Sequence, residues 1–556
     1  MKAKVGLIID DLVVSEQLYN LIEYSRRASH YEITHLILQD TEQQRGGSLF
    51  TQVRSYLARR GIKKLIENLC FRALGRFERL LLSRQSKVKT HFRRHSLRET
   101  ALQIISVQPK VSKSGLVYRY REEDLAKIRE AGLSILIRGG GGILRGEILK
   151  VCPQGILSFH HADNDVNRGT PPAFWEVYER QRRTGFIIQI LHDELDGGDV
   201  VFRGDIATGP IYTLNLVQLY AKANRFMHQT LERLFRDEFP LKIYPKRPYA
   251  HPLYTLPSVG VQLNYLMKTY FYMMGKVIDR VRSRSRRWGV AYQFCEDWRD
   301  VTLWKSKRIP NPPSRFLADP FIYQHEGRHY CFVEDFDYRE GKGRISAFSI
   351  TPEGHQELGV ALEEPFHLSF PFIFEHEGEL YMCPETHEAR EVRLYRCLEL
   401  PCKWELTRVL LRDVNAADNL LFYRDHRWWL LSNLCSSDID DHGSELHIYS
   451  TNDLLEGEWR PHPENPVIFN AERGRNGGLI HEDGRVYRVF QRQGWDLYGE
   501  AFGVAEITRL SMEGYEERAL FEVEAHFMPQ AIGTHTFNFA HGLMVTDFVR
   551  VEDSRK

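Results

Sequence analysis

The segment CPQGILSFHHADNDVNRGTPPAFWEVYERQRRTGFIIQILHDELDGGDV, residues 152–200, decides how the first half of the chain is read. An apolar run ends in Ser158-Phe159-His160, and a polar loop closes on Arg168-Gly169. A helix is predicted from about Pro171 to Gln181 and a strand over Gly185–Leu191, followed by the carboxylate-rich turn His192–Gly198. A histidine where a strand meets its loop, and an aspartate on a Gly-Gly turn one strand later, can bring imidazole and carboxylate together. Such a pair suits proton transfer, because the carboxylate fixes the imidazole tautomer and holds its pKa near neutrality. His160 and Asp196 are the candidate catalytic pair.

Upstream, Lys4–Ile9 and Glu32–Leu38 read as strands around the helical spacing of Leu18, Leu21, Ile22 and Tyr24. This β-α-β opening suits a doubly wound parallel sheet. It carries no G-x-G-x-x-G, so a dinucleotide site is unsupported. Residues 41–100 interrupt the pattern: Arg54 to Arg98 hold fourteen Lys/Arg against Glu67 and Glu78, among apolar residues at helical spacing. A basic amphipathic helix there is either an interfacial anchor or an insertion packed on the domain with a solvated basic face. The strand Leu133–Ile137 then feeds Gly139-Gly140-Gly141-Gly142-Ile143-Leu144. Four glycines allow close backbone approach to a ligand or a tight structural loop. A helix around Ile211–Phe235 completes a domain that closes near Pro248.

Residues 152–200 resemble the catalytic core of the 10-formyltetrahydrofolate-dependent formyltransferases, the methionyl-tRNA and sugar enzymes among them. That family carries Asn-x-His-Pro-Ser-Leu-Leu-Pro-x-Tyr-Arg-Gly, then Thr-Gly, then Asp-Glu-x-Leu-Asp-x-Gly. In register, His160 falls on the family's catalytic histidine, Arg168-Gly169 on its Arg-Gly, Thr184-Gly185 on its Thr-Gly and Asp196 on its catalytic aspartate. Ser158 stands where the family has the asparagine that donates to the oxyanion, and His161–Asp165 replace Pro-Ser-Leu-Leu-Pro. Losing one such donor typically costs about a hundred- to a thousandfold in rate. The resemblance implies 10-formyltetrahydrofolate as cofactor, with Gly139, Gly140, Gly141, Ile143, Leu144 and Asp193 beside it. It further implies a substrate contact at Asp163, Asn164 and Arg168.

At 556 residues more than one core is expected. Charged residues are 27 % with a formal net charge of +1, which argues against polyanion binding by bulk charge; no nucleic-acid partner is expected. The eight cysteines form no C-x-x-C pair, which points to reduced thiols rather than a disulfide framework or a metal site. The N-terminal MKAKVGLIIDD lacks a signal-peptide pattern and no apolar run reaches bilayer length, so a cytoplasmic location is expected. Residues 249–295 read as a basic, aromatic linker, with seven Lys/Arg from Lys268 to Arg287 against Asp279. Together with 54–98, residues 268–287 make contact with the inner face of a membrane a second expectation, the alternative being packing between domains.

From 296 onward one phrase recurs: DPFIYQHEGRHYCFVED, FPFIFEHEGELYMCPET, DNLLFYRDHRWWLLSN, NGGLIHEDGRVYRVFQ and TFNFAHGLMVTDF. Each is strand, tight turn, strand, and their starts lie 51, 48, 58 and 60 residues apart. That period in β-rich sequence predicts a five-bladed propeller over 296–556. The phrases resemble the five-bladed domain of glucosamine inositolphosphorylceramide transferases, itself similar to furanosidase-type propellers. The resemblance implies a sugar funnel lined by Asp319, Glu334, Glu385, Asp418 and Arg475, with His462 and His535 nearby. Carboxylates there could hydrolyse a glycoside or bind a sugar without cleaving it. The whole chain is therefore expected to be an α/β formyltransferase-like domain (1–248) joined to the propeller. Its expected activity is formyl transfer to an amine or hydroxyl of a nucleotide- or lipid-linked sugar. The rival readings are a glycoside hydrolase or glycan-transfer enzyme acting in the funnel, and a non-catalytic glycan-binding protein.

Overall fold

The computed structural model describes residues 2–41, 49–193, 198–236, 241–437 and 442–553, with the backbone alone for 49–60. The chain forms two compact units, whose main boundary falls inside one helix between Thr269 and Tyr270.

The first unit is built on a seven-stranded sheet. Its strand order is Asp199–Ala207, Arg183–Ile190, Ile156–His160, Ile135–Arg138, Ala3–Ile9, Tyr31–Gln39, Gln103–Val107. The five strands from Ile156–His160 to Gln103–Val107 run parallel, whereas Arg183–Ile190 is antiparallel to Ile156–His160. The sheet is therefore mixed at one end rather than wholly parallel. Val5, Leu7, Ile8, Ile135, Leu136, Ile137, Ile156 and Leu157 are fully buried, the near-continuous apolar reading of strands covered on both faces. Strand order reverses between Ala3–Ile9 and Ile135–Arg138, so the carboxyl ends of these two strands flank the crevice where doubly wound sheets bind ligands. The predicted helix over Pro171–Gln181 shortens to Phe174–Tyr178, bracketed by Ala173 and Arg180 at positive φ.

The second unit is a five-bladed propeller. Four blades are consecutive meanders that begin with Arg315–His325, Ser369–His376, Ala416–Arg424 and Arg475–Glu482; three have four strands, and the third has a fifth, Ile468–Phe469, paired with Glu445–Thr451. The fifth is composite: Phe537–Ala540 and Leu543–Asp553 are joined by Arg284–Phe294 and Lys307–Ile309. The innermost strands contact one another in cyclic order, and the fifth returns to the first. All five inner hairpins turn on two successive residues of positive φ: Glu326-Gly327, Glu377-Gly378, Asp425-His426, Asp483-Gly484 and His541-Gly542. This is the backbone that two-residue hairpins require, and it explains the recurring acidic-Gly dipeptide.

The segment read as a linker, 249–295, is corrected by these facts. It holds the helix Val259–Val281 and then Arg284–Phe294, a strand of the propeller itself. The β domain thus starts at Arg284, upstream of 296.

Candidate functional site

At the carboxyl edge of the parallel sheet, alternation puts Ser158 and His160 on one side of their strand, and Ser158 pairs with Arg138 on the next. His160 Nε2 lies 2.8 Å from the Asn167 carbonyl oxygen, and Asn167 is itself fixed by its bonds to Glu176 Oε1 (3.1 Å) and from the Gly169 N–H (2.8 Å). An imidazole donating from Nε2 to this carbonyl keeps its lone pair on Nδ1. Asp196 lies outside the described residues. The Ser158 hydroxyl donates to the Phe159 carbonyl at 3.2 Å, and the Arg138 guanidinium stands 3.5 Å from it. Neighbouring His161 is stacked on Tyr220 (3.8 Å between centroids) and pushed down to about 3 by burial, so it stays neutral.

The surrounding expectations meet a closed network. Asp163 and Asn164 are both held by Arg203, which also pairs with Asp165 at 2.8 Å. Arg168 donates from Nε to the Asn164 carbonyl (2.8 Å) and lies over the Tyr249 ring. Gly185 leaves no room for a side chain, since a Cβ would sit 2.7 Å from that of Asp163. Asp193 accepts the Gly146 N–H at 3.0 Å. The glycine run packs on Asp10: Gly141 N–H donates to Asp10 Oδ2 (2.6 Å), and a Cβ on Gly140 would lie 2.8 Å from Asp10 Oδ1. A Cβ on Gly139 would meet the Ile8 carbonyl at 2.9 Å, and Gly142, at φ +80°, backs onto Tyr118. These contacts account for the glycines without a ligand. Ile143 and Leu144 follow as a short strand, half-buried and buried.

In the propeller a bulge breaks the inner strand of four blades at its entrance, between Ala318 and Phe321, Ser369 and Phe372, Ala417 and Leu420, and Asn476 and Gly478. Asp319, Phe370 and Asp418 take left-handed backbone there (φ +46 to +48°), which turns their side chains out of the ladder. Opposite stand second-strand polar residues: Glu334 faces Ala318, Glu385 faces Ser369, and Gln491 faces Arg475. Arg475 binds Asp418 through Nε (2.5 Å) and Nη2 (3.4 Å), and lies 3.8 Å from Glu385 and over the Tyr498 ring. Gln491 donates to Asp418 at 3.0 Å, and His387 Nδ1 lies 2.7 Å from Glu385. Around the axis, His535 lies between Asp547 (2.5 Å from Nδ1) and Asp319 (3.4 Å from Nε2), stacked on Trp288. His367 Nε2 stands 3.6 Å from Glu334.

The five expected funnel residues are therefore brought together, the four acids buried and the Arg475 side chain 14 % exposed. His462 is not part of it: its Nε2 lies 2.8 Å from the Ser511 carbonyl, and its Nδ1 accepts the Glu464 N–H. Asp547, Gln491, His367 and His387 were not anticipated. For Asp547 and Gln491 the signal was present, since the second strands end in register as Glu334, Glu385, Gln491 and Asp547. The histidines come from loops that carry no repeat.

Burial pushes Asp319 and Glu334 well above the usual carboxylate range, with neighbouring acids adding to the rise. Asp418 is pushed up to about 6 by burial, against the pull of Arg475 and with the help of Glu385. For Glu385 burial also raises, but His387 and Arg475 outweigh it and hold the group low. Burial opposes the charge on His535, yet Asp547 and Asp319 more than offset it, so its pKa is raised. Carboxylates pushed apart in this way divide acid and base roles. Asp319, His535 and Asp547 also bring three metal-type donor atoms within 4.8 Å of one another, but the imidazole spends one nitrogen on each carboxylate.

Fold and funnel define a five-bladed propeller with a buried cluster of charged residues. The family model described as glucosamine inositolphosphorylceramide transferase 1, N-terminal, matches residues 295–547. A protein named glucosamine inositolphosphorylceramide transferase 1 from Arabidopsis thaliana is 37 % identical over 220 residues, 38 % of this chain and 28 % of that protein. The chain thus spans under a third of the length of that curated relative. A methionyl-tRNA formyltransferase from Desulforamulus reducens is 25 % identical over 123 residues, 22 % of this chain and 37 % of that enzyme. Among solved structures, Zg3597, a family 117 glycoside hydrolase from Zobellia galactanivorans, aligns with 11 % identity and a TM-score of 0.32, over 48 % of this chain and 91 % of that one.

Proposed function

We propose that the chain is a transferase acting on a sugar, which the propeller holds in its acid-lined funnel. The observation that supports this reading is the Arg475–Asp418–Glu385 group, a cation between two buried carboxyls with opposite pKa displacements. Glu385, charged, accepts from sugar hydroxyls; Arg475 donates to ring and hydroxyl oxygens; Asp418 exchanges a proton near pH 6. The Arabidopsis relative is named glucosamine inositolphosphorylceramide transferase 1, which agrees with a sugar as ligand. Retention of the full chain on an array of amino-sugar and uronic-acid glycans tests the reading. Binding lost in Arg475→Ala and weakened in Asp418→Asn is expected; an array that retains nothing would sink it.

A second reading concerns the first unit. His160, oriented by the Asn167 carbonyl beside Ser158 and Arg138, favours acyl transfer, and the similarity to methionyl-tRNA formyltransferases points to formyl transfer. When bound, 10-formyltetrahydrofolate supplies an activated formyl group. His160 Nδ1 would take the proton of the attacking sugar amine or hydroxyl, and Arg138 with Ser158 would face developing negative oxygen in place of the family asparagine. The check is transfer from 10-formyltetrahydrofolate to an amino sugar, which His160→Gln should lower by about 10²–10⁴-fold.

A further inference from the structure

Two helices of this chain are inverted with respect to ordinary surface helices. In Ile62–Leu81, which follows the break at Gly61, the inward positions hold Glu67, Leu74 and Glu78, the two carboxylates being buried. Glu78 receives the Tyr265 hydroxyl and the Thr213 N–H, and Glu67 pairs with Lys64. The outward positions hold Ile62, Ile66, Leu69, Phe77, Leu80 and Leu81, with Leu80 74 % exposed. The helix Val259–Val281 repeats the arrangement. It buries Gln262, Tyr265 and Thr269 and exposes Leu263, Met267, Phe271, Met274, Val277, Ile278 and Val281, with Phe271 69 % exposed. Gln262 donates to the Glu67 carbonyl, so residues 259–269 of the second helix pack on the first helix within the first unit, while its residues 270–281 belong to the second unit. Each outward set lies along one helical face, the first with exposed Ala73 between Leu69 and Phe77. Nearly half of the large apolar side chains exposed among the described residues lie on these two stripes. Scattered exposed leucines need no explanation, but contiguous stripes over buried polar groups do.

What covers them is indicated by charge. Arg72 and Arg76 border the first stripe, and residues 61–98 hold eleven Lys/Arg against only the two buried glutamates. Lys268, Arg280, Arg282, Arg284 and Arg286 border the second, against Asp279. A second copy docked face to face would set cation on cation, because a two-fold interface pairs each patch with itself. Neither helix is long and apolar enough to cross a membrane. We infer that these two helices lie in the surface of an anionic lipid bilayer, their apolar stripes in the acyl boundary and their arginines and lysines on the headgroup phosphates.

The experiment is vesicle flotation of the full chain. Binding is expected to phosphatidylcholine vesicles holding about a third phosphatidylglycerol, and to weaken as salt rises. Leu80→Glu with Phe271→Glu should lower that binding by about tenfold or more while the melting temperature stays put, since both side chains already face solvent. Arg72→Glu with Arg76→Glu should remove the preference for anionic lipid. Equal binding to pure phosphatidylcholine, or none to either vesicle, would overturn the inference. So would a lipid-free dimer in sedimentation velocity that Leu80→Glu dissociates, which would assign the face to self-association.

Discussion

The sheet edge of the first unit and the funnel of the second both gather charged and polar groups at the ends of strands, yet they leave them in opposite states. At the sheet edge nearly every group is answered from within the chain: Asp10 by the Gly141 N–H, His160 by the Asn167 carbonyl, Asp163 and Asn164 by Arg203. In the funnel Asp319, Glu334, Glu385, Asp418 and Asp547 face Arg475 and His535 as the principal cations, and burial leaves three of the acids raised. A site whose desolvation is uncompensated gains from a ligand that brings donors; a site already satisfied gains little. The contrast gives the funnel the stronger claim to binding and the sheet edge the stronger claim to rigidity.

The sharpest way to break that contrast is Arg475→Met. It strands Asp418 and Glu385 in the funnel and should cost about 3–5 kcal/mol, read as a fall in the propeller's unfolding midpoint in urea. An unchanged midpoint would mean the acids are already neutral and the funnel is as satisfied as the sheet edge. Next in size, Gly140→Ala drives a methyl against Asp10 and Gln39 and should cost about 1–3 kcal/mol in the first unit. A tolerated substitution would show that the glycine loop yields, and would reopen it to a cofactor.

Two smaller effects depend on pH. His535 has a raised pKa, so its contribution is complete below the unfolded value of about 6.5 and is lost as pH climbs through the folded value. The parent protein should therefore lose more melting temperature than His535→Gln between pH 6 and 9, roughly the window of imidazole and its raised form. Identical slopes would remove the imidazolium from the Asp547–Asp319 pair. Finally, glycan affinity should bend near pH 6 in the parent and run flat in Asp418→Asn, because that carboxyl titrates at about 6. A bend that persists belongs to another group.

Much of the propeller was legible because its signals are local. Acidic-Gly dipeptides between aromatic strands are what type I′ hairpins need, and the funnel acids sit at fixed places in the repeated phrase. The fifth blade's strand Arg284–Phe294 was not legible, because its first half is a run of arginines and its partner, Leu543–Asp553, is far away in sequence. The polar loop after His160 could be located but not resolved: nothing in the residue types tells that Arg203 would close over Asp163 and Asn164. Likewise the spacing within residues 54–98 showed a two-faced helix without telling which face turns inward, since polarity normally answers that question and here answers it wrongly; the helix Val259–Val281, read as linker, was not seen.

The composite fifth blade has a consequence for biogenesis. Its middle two strands are contributed by residues 284–294 and 543–553, so the ring is a clasp whose halves leave the ribosome some 250 residues apart. Until the later half appears, Arg284–Phe294 waits with an unpaired edge and the axial cavity stands open on one flank. Synthesis must reach Asp553 before the barrel of blades can lock, and a protease that trims the final strand would spring the whole ring rather than fray one end.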